Sequence, residues 1–356
     1  MTDQPIGVAI AGLGFGEAVH LPALRANADL KPVALWHPRR ERLDEACAEH
    51  GLPGHDNWDA LLEDPAVEAV IIATPPAPRF DLARRALAAG KHLLLEKPIA
   101  LRAEQAQELQ RLAIEKGLSV GVDYEYRAVP LFMQAARMLS AGAVGTPWLV
   151  RLDWLMGSRA NPQRGWNWYS QAELGGGVVG ALGTHAFDTL AWLIGPVTEV
   201  RALNGVSIEE RPLADGGFAP VDAEDVSLIQ TRLQWQGRTD QLIPTQLTLA
   251  SVARNGRGCW IEVYGSEGSL VLGSANQKDY VHGFELRYAP AGEPPVLMEA
   301  DADLRFNRTW GDGRIAPVAR LQGWWAESIR SGRPMVPGLV EGVASRLACD
   351  QAVQNS

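Results

Sequence analysis

The first 120 residues of this 356-residue chain alternate short apolar runs with stretches of helical period, and few folds can use that pattern. GVAIAGLG (7–14), KPVALWH (31–37), AVIIATP (69–75), KHLLLEKP (91–98) and LSVGVDY (118–124) are apolar at nearly every position. Strands must read this way when both faces of a parallel sheet are covered. Between them, RRERLDEACAEHG and PRFDLARRALAAGK place apolar residues at three- and four-residue spacing. The alternation predicts a doubly wound α/β domain with helices on both faces of a parallel sheet.

The pattern changes near AGAVGTPWLVRLDWL (141–155). LVRLDWL, DVSLIQTRLQW, PTQLTLASV, GCWIEVYG and GSLVLG are longer and alternate, which suits an open, mainly antiparallel sheet. A helical block, VVGALGTHAFDTLAWLIG (178–195), interrupts them, and VARLQGWWAESIRSG and LVEGVASRLACDQAV close the chain with helical periodicity. The expected division is a doubly wound α/β domain at 1–123 and a second α/β domain at 124–356. The Gly-, Pro- and Asp-rich segment RPLADGGFAPVDAED (211–225) reads as a mobile loop.

Composition narrows the function classes. With 46% hydrophobic and 21% charged residues, no apolar run approaches the ~18 residues of a membrane span. A net charge of −9 speaks against a nucleic-acid surface. MTDQPIGVAIAG lacks the pattern of a signal peptide. The three scattered cysteines suit a reducing cytoplasm, and no Cys/His spacing resembles a zinc site, so no metal is expected.

VAIAGLGFGE sets Gly12, Gly14 and Gly16, with Phe15 between them, at the turn from the first strand into the first helix. Glycines there permit a tight turn and close approach of the backbone to a pyrophosphate on the helix N-terminus. The third glycine of G-x-G-x-x-G would fall at position 17, but Glu17 stands there and Gly16 comes one residue early. After the second strand, an acidic residue would bind the adenosine ribose; instead the chain reads His37, Arg39, Arg40. A guanidinium fork suits a 2′-phosphate, which favours NADP over NAD. The alternative is the solvated first turn of the next helix. Thr74 and Pro75 form a turn at the carboxyl edge of the third strand, where the nicotinamide half belongs.

The fourth strand ends in Glu96-Lys97-Pro98 at that same edge. Charge is costly to bury in hydrocarbon, but here it faces a ligand crevice. Lys97 would hydrogen-bond a reacting hydroxyl and stabilise the developing alkoxide, Glu96 would hold Lys97 or face the cofactor ribose, and Pro98 would fix the turn. A surface ion pair at a strand end is the competing reading.

With these residues in view, the chain resembles the Gfo/Idh/MocA family of NAD(P)-dependent oxidoreductases. The resemblance rests on GLGFGEAVHLPAL (12–24), AVIIATPP (69–76), AGKHLLLEKPIA (89–100), GAVGTPWLVRLDW (142–154), ELGGGVVGALGTHAFD (173–188) and VYGSEGSLVL (263–272). It implies a Rossmann domain followed by an α/β domain whose large open sheet often makes homodimer or homotetramer contacts. It also implies hydride transfer at a secondary alcohol of a sugar, cyclitol or similar small polyol, and it sets Lys97 on the family's active-site lysine.

His185 and Asp188 lie three apart, hence on one face of a helix whose neighbours are apolar or small. Among seven histidines, His185 is the best candidate base; His37, His50 and His55 lie in variable segments, His282 in a loop, and His20 on the first helix. A satisfied core histidine is the alternative. The family often has an Asp four residues before this histidine, where this chain has Ala181, so Asp123 or Glu125 would have to substitute. Candidate substrate contacts are Asp123, Glu125 and Arg127 after the fifth strand, Thr184 and Asp188 on the second-half helix, and Arg164, Trp166 and Trp168 in NPQRGWNWYSQ (161–171). Two other readings stay open: a non-catalytic NAD(P)-binding sensor, and a reductase of a non-sugar acceptor of the biliverdin-reductase kind.

Overall fold

A computed structural model describes residues 4–235, 238–276 and 279–355. The chain divides into two compact units: residues up to Ala128 together with Thr309–Arg346, and Val129–Arg308 together with the residues from Leu347 onward.

The first unit holds a six-stranded sheet of β1 (Ile6–Ala11), β2 (Leu30–Trp36), β3 (Gly54–His55), β4 (Ala69–Ile72), β5 (His92–Leu95) and β6 (Val120–Val122). The order is β3-β2-β1-β4-β5-β6, and every pairing is parallel. The order reverses between β1 and β4, the switch point beside which such sheets bind ligands. Helices α1 (Leu21–Arg25), α2 (Arg40–His50), α3 (Trp58–Glu63), α4 (Pro76–Ala88) and α5 (Ala103–Lys116) connect the strands. Alternation along β1 decides its two neighbourhoods. Ile6, Val8 and Ile10 pack with Leu21, Leu24 and Leu43, whereas Ala9 and Ala11 pack toward Leu82, Ala83 and Leu109.

The contiguous 1–123 and 124–356 division differs from this arrangement: residues 124–128 and Thr309–Arg346, which holds helix Ile315–Ser331 and the first half of helix Leu339–Gln354, belong to the first unit. Helix Ile315–Ser331 belongs to the first unit, with Leu321, Trp325 and Ala326 wholly buried in the same core as Ile10, Ile71 and Leu94. Sequence shows that this helix has an apolar face, but periodicity does not say which sheet that face covers.

The second unit is built on an eight-stranded sheet of β7 (Pro147–Leu155), β8 (Val197–Gly205), β11 (Val226–Trp235), β12 (Arg238–Ala250), β13 (Gly258–Gly265), β14 (Gly268–Ser274), β15 (Glu285–Pro290) and β16 (Val296–Met298). Its order is β16-β15-β14-β13-β7-β12-β11-β8, antiparallel except for the β7–β12 pair. Val150, Leu152 and Trp154 of β7 are buried, and Arg151 and Asp153 between them are half-exposed on the opposite face. Helices α6 (Pro130–Ser140) and α7 (Thr184–Leu193) pack on each other. The segment expected to be a mobile loop instead contains a hairpin, β9 (Glu210–Pro212) with β10 (Phe218–Pro220). Its turn-forming Gly216 and Gly217 join the two strands, and Val221 and Ala223 donate N–H groups to Glu209 and Ser170.

Candidate functional site

The first unit gathers its chemistry at the carboxyl ends of β1, β4, β5 and β6. Gly12 has φ +102°, and a Cβ there would lie 2.6 Å from the Ala73 carbonyl oxygen, so no side chain fits. Gly14 is exposed, with open space where a Cβ would stand. The next turn, Gly16–His20, is a π turn in which the Leu21 N–H reaches the Gly16 carbonyl. A Cβ on Gly16 would sit 2.9 Å from Ile10 Cγ2 and 3.2 Å from Ala73 Cβ. Gly16 therefore does the close helix-to-strand packing of a third fingerprint glycine from one residue early, and the wider turn takes up the offset. Phe15 is half-buried, edge-on to His20 at 5.4 Å and beneath the Arg314 guanidinium at 5.3 Å.

After β2, the His37 ring accepts the Arg39 N–H at 3.1 Å, shaping the loop. The two arginines differ. Arg40 Nε pairs with Asp44 at 3.0 Å and its Nη1 reaches Asp56 at 3.5 Å, so that guanidinium is already engaged. Arg39 is exposed, and among the described residues its guanidinium makes no hydrogen bond or ion pair. After β4, Thr74 is buried with its hydroxyl oxygen lacking a partner among the described residues, and exposed Pro75 leads into α4. Buried Arg79 of α4 donates to the carbonyls of Thr74 and Pro98, fastening this turn to the Glu-Lys-Pro turn. Burial pushes its guanidinium down to about 10, against the pull of Glu96.

Glu96 continues the ladder from β5 by donating its N–H to Ile72, and Asp123 does so from β6 by donating to Leu95. These bonds fix the stems of both carboxyls. Glu96 Oε1 lies 3.0 Å from His20 Nε2, and Oε2 accepts the Lys97 N–H at 3.2 Å. Asp123 Oδ2 lies 3.4 Å from the same imidazole nitrogen. On the far side of the ring, Gln322 Nε2 donates to the His20 carbonyl at 3.2 Å and to Nδ1 at 3.3 Å. Lys97 itself is half-buried, and the Lys97–Pro98 bond is cis.

The two carboxyls titrate in opposite senses. Burial raises Glu96, but the His20 hydrogen bond and, when that ring is protonated, its charge, then the Lys97 and Arg79 charges, outweigh it and hold Glu96 at about 2. Burial, then repulsion from Glu96 and Glu125, carries Asp123 well above the carboxylate range. Asp123, expected on the substrate side and as a stand-in for the missing partner of His185, is thus packed against His20, 1% exposed. Glu125 and Arg127 lie in the following 3₁₀ turn, Glu125–Ala128, and both are buried.

In the second unit, the expected single helix over 178–195 opens with a π turn, Val179–Gly183, before α7. His185 follows it, buried, with its ring 6.1 Å from that of Trp154. Thr184 donates its hydroxyl to Gly180 at 3.2 Å, and Asp188 is buried one turn along. Glu224 caps this helix: its Oε1 accepts the Val179 N–H at 2.9 Å and its backbone carbonyl accepts Val178. A carboxylate there also complements the helix N-terminus. Gly177, at φ +87°, leaves room for it, since a Cβ would lie 2.4 Å from the Glu224 carboxylate. The loop carrying Arg164, Trp166 and Trp168 is tied to the hairpin region. Trp166 donates its N–H to Pro212 and its indole to Pro220, and exposed Arg164 reaches the Ser158 carbonyl at 3.0 Å. Trp168 stands 5.8 Å from the Tyr169 ring, and the Arg159 guanidinium covers Tyr169 at 3.5 Å.

Sequence reasoning passed over His20, Gln322, Arg79 and Glu224. For His20 a signal existed: a histidine four residues after Gly16, on the helix that opens at the switch point. Gln322 and Glu224 lie 302 and 45 residues from the groups they bind, and no local pattern announces them.

Comparison with known proteins agrees with this geometry. Residues 6–124 match the Gfo/Idh/MocA oxidoreductase family, NAD-binding Rossmann fold, and residues 136–356 match its C-terminal alpha/beta domain. An uncharacterized oxidoreductase of Synechocystis sp. is 43% identical over 99% of this chain and 95% of its own. Levoglucosan dehydrogenase of Pseudarthrobacter phenanthrenivorans is 28% identical over 90% of this chain and 83% of its own. A structure of levoglucosan dehydrogenase in complex with NADH and L-sorbose has a TM-score of 0.87 at 24% identity, covering 98% of this chain and 96% of that one. An inositol dehydrogenase homolog from Azotobacter vinelandii, complexed with NADH and myo-inositol, has a TM-score of 0.82 at 19% identity, covering 99% and 95%. Among the described residues no helix is long and apolar enough to cross a membrane.

Proposed function

Because the chain belongs to the Gfo/Idh/MocA oxidoreductase family, we propose that it oxidises a secondary alcohol of a sugar, cyclitol or related small polyol, or reduces the matching ketone, with NADP as the preferred cofactor. The observation that carries this is the Glu-Lys-Pro turn, pinned at the switch-point edge by His20 through Glu96 and by Arg79 through Pro98. The cofactor cradle is supported by Gly12, where a side chain would strike Ala73, and by the buried hydroxyl of Thr74, which has no partner among the described residues. Gly12, Gly14, Phe15 and Gly16 would take the pyrophosphate, Thr74 and Pro75 the nicotinamide half, and Arg39 a 2′-phosphate. His37 shapes the loop, and Arg40, paired with two carboxylates, contributes little. A bound nicotinamide supplies hydride acceptance or donation at its C4 position.

The chain's own groups handle the proton. In this reading Lys97 hydrogen-bonds the substrate oxygen and stabilises negative charge as it develops there. His185 accepts the hydroxyl proton in oxidation and returns it in reduction. Thr184 and Asp188, beside His185, and the Arg164, Trp166 and Trp168 loop line the substrate side, with Trp rings suited to the apolar face of a sugar. Glu125 and Arg127 are further candidates.

The open face of the second unit's sheet supports a homo-oligomer. Arg151 and Glu262 alternate there with Tyr264, Leu228 and Leu203, and Leu203 is 67% exposed. Relatives named for sugars and inositol, such as scyllo-inositol 2-dehydrogenase of Bacillus subtilis, support the substrate class. The test is a titration of NADP⁺ and NAD⁺ by tryptophan quenching, followed by a polyol and sugar panel read at the reduced-nicotinamide absorbance. Turnover with at least one secondary alcohol is expected; tight cofactor binding with no turnover across the panel would move the chain to the sensor class.

A further inference from the structure

We infer that His20 and Asp123 are positioning residues for Lys97: with Glu96 they form a buried assembly that shares one proton between two carboxyls and keeps one fixed negative charge beside the lysine. The inference rests on the reading of Lys97 as the group that contacts the substrate oxygen.

The hydrogen-bond pattern sets the protonation states. Gln322 Nε2 lies within reach of the His20 carbonyl, an acceptor, so that atom is the amide nitrogen and donates to Nδ1 as well. With Nδ1 accepting, the neutral ring carries its proton on Nε2 and donates it to Glu96 Oε1. Glu96 is therefore the ionised member, its other oxygen held by the Lys97 N–H. Asp123 is different. Both its oxygens are buried, and neither finds a donor among the described residues. As a second anion beside Glu96 it would be an unpaired buried charge; as the acid it has an O–H to direct at the carboxylate next to it. The charged and titratable groups acting on the pair are His20 from the π turn, Lys97 from the strand end, Glu125 from the turn after β6 and Arg79 from α4. The pair's remaining negative charge sits on Glu96, the residue that precedes Lys97 and holds its backbone.

His20, Glu96 and Asp123 also present ligand-type atoms within 4.8 Å of one another. A metal there would need the Nε2 proton removed and Asp123 ionised, so the same experiment separates the two states. The infrared spectrum of the wild-type protein in D₂O at neutral pH should show the carbonyl band of an un-ionised carboxylic acid, lost in Asp123→Asn. Asp123→Asn should leave the pH profile of kcat unmoved, because the amide copies the protonated acid. Glu96→Gln combined with Asp123→Asn removes the charge. It should shift the alkaline limb of kcat downward by about one to two pH units, with NADP⁺ affinity by tryptophan quenching unchanged. The inference is overturned if the acid band is absent in the wild type, if the single variant moves the limb as far as the double, or if the protein carries a stoichiometric metal ion. The infrared band does not depend on Lys97. A Lys97→Met enzyme with full turnover would sink the reading of Lys97 while the band still decides the protonation state.

Discussion

Replacing Trp325 with alanine tests whether helix Ile315–Ser331 is part of the nucleotide-binding unit. Trp325 is wholly buried, in one core with Ile10, Ile71 and Leu94. A tryptophan side chain buries on the order of 150–250 Å², which at ~25 cal/mol per Å² is about 4–6 kcal/mol as an upper bound. Measured tryptophan truncations fall at about 3–5 kcal/mol, so about 4 kcal/mol is expected. Trp325→Phe should lose far less. It keeps most of the apolar volume and removes an indole N–H that has no partner among the described residues, a group that costs about 1–3 kcal/mol when left buried. Two units need not unfold together, so a single global midpoint is the wrong readout. Hydrogen exchange resolves them: amides of Val8, Ile10 and Ile71 should lose about two to three decades of protection in Trp325→Ala. Strand amides of the second unit, such as those of Val150 and Leu152, should change less. A loss below tenfold in the first unit, or one confined to the second, refutes the assignment of this helix.

Three further outcomes follow from the site. Arg39→Ala should weaken NADP⁺ binding by about tenfold or more while NAD⁺ is unaffected, and Arg40→Ala should do much less because Asp44 and Asp56 already hold it; equal effects on the two cofactors by fluorescence titration would contradict the phosphate assignment. Asp123 has a raised folded-state pKa, so its contribution is fully present below the unfolded value, near 3.8, and is lost as pH climbs toward the folded value. Asp123→Asn should therefore gain stability relative to wild type between acidic and neutral pH, whereas the Glu96 contribution, with a pKa near 2, is present above about 4.5 and lost as pH falls; urea unfolding at several pH values checks both signs. Glu224→Ala removes the cap on the helix that carries His185 and should cost about 1–2 kcal/mol in the second unit, measured by exchange of the Val179 and Thr184 amides.

Both sheets were legible because strand burial writes itself into local pattern: two-sided apolar runs for β1, β4 and β5, alternation for β7 and β11. Gly12 and the Glu-Lys-Pro turn were legible for the same reason, each standing beside a strand end. What sequence could not show was pairing across distance. His20 reads as a helix residue because nothing in its own helix says that its ring faces the ends of β5 and β6. Arg40 reaches Asp56, sixteen residues on, a pairing that no local pattern marks. The hairpin in 210–220 was hidden by its own composition, since Gly and Pro mark a tight turn and a free loop alike. The helix at 315–331 declared an apolar face but not the sheet it covers, which is why a contiguous boundary seemed natural.

The proposed chemistry centres on Lys97, and its most direct test is a paired measurement on Lys97→Ala of kcat and of NADP⁺ affinity with the best substrate from the panel. Removing a group that stabilises the developing charge should lower kcat by about 10²–10⁴-fold, with cofactor affinity within about twofold of wild type. Turnover equal to wild type, or a defect confined to cofactor affinity, would contradict it.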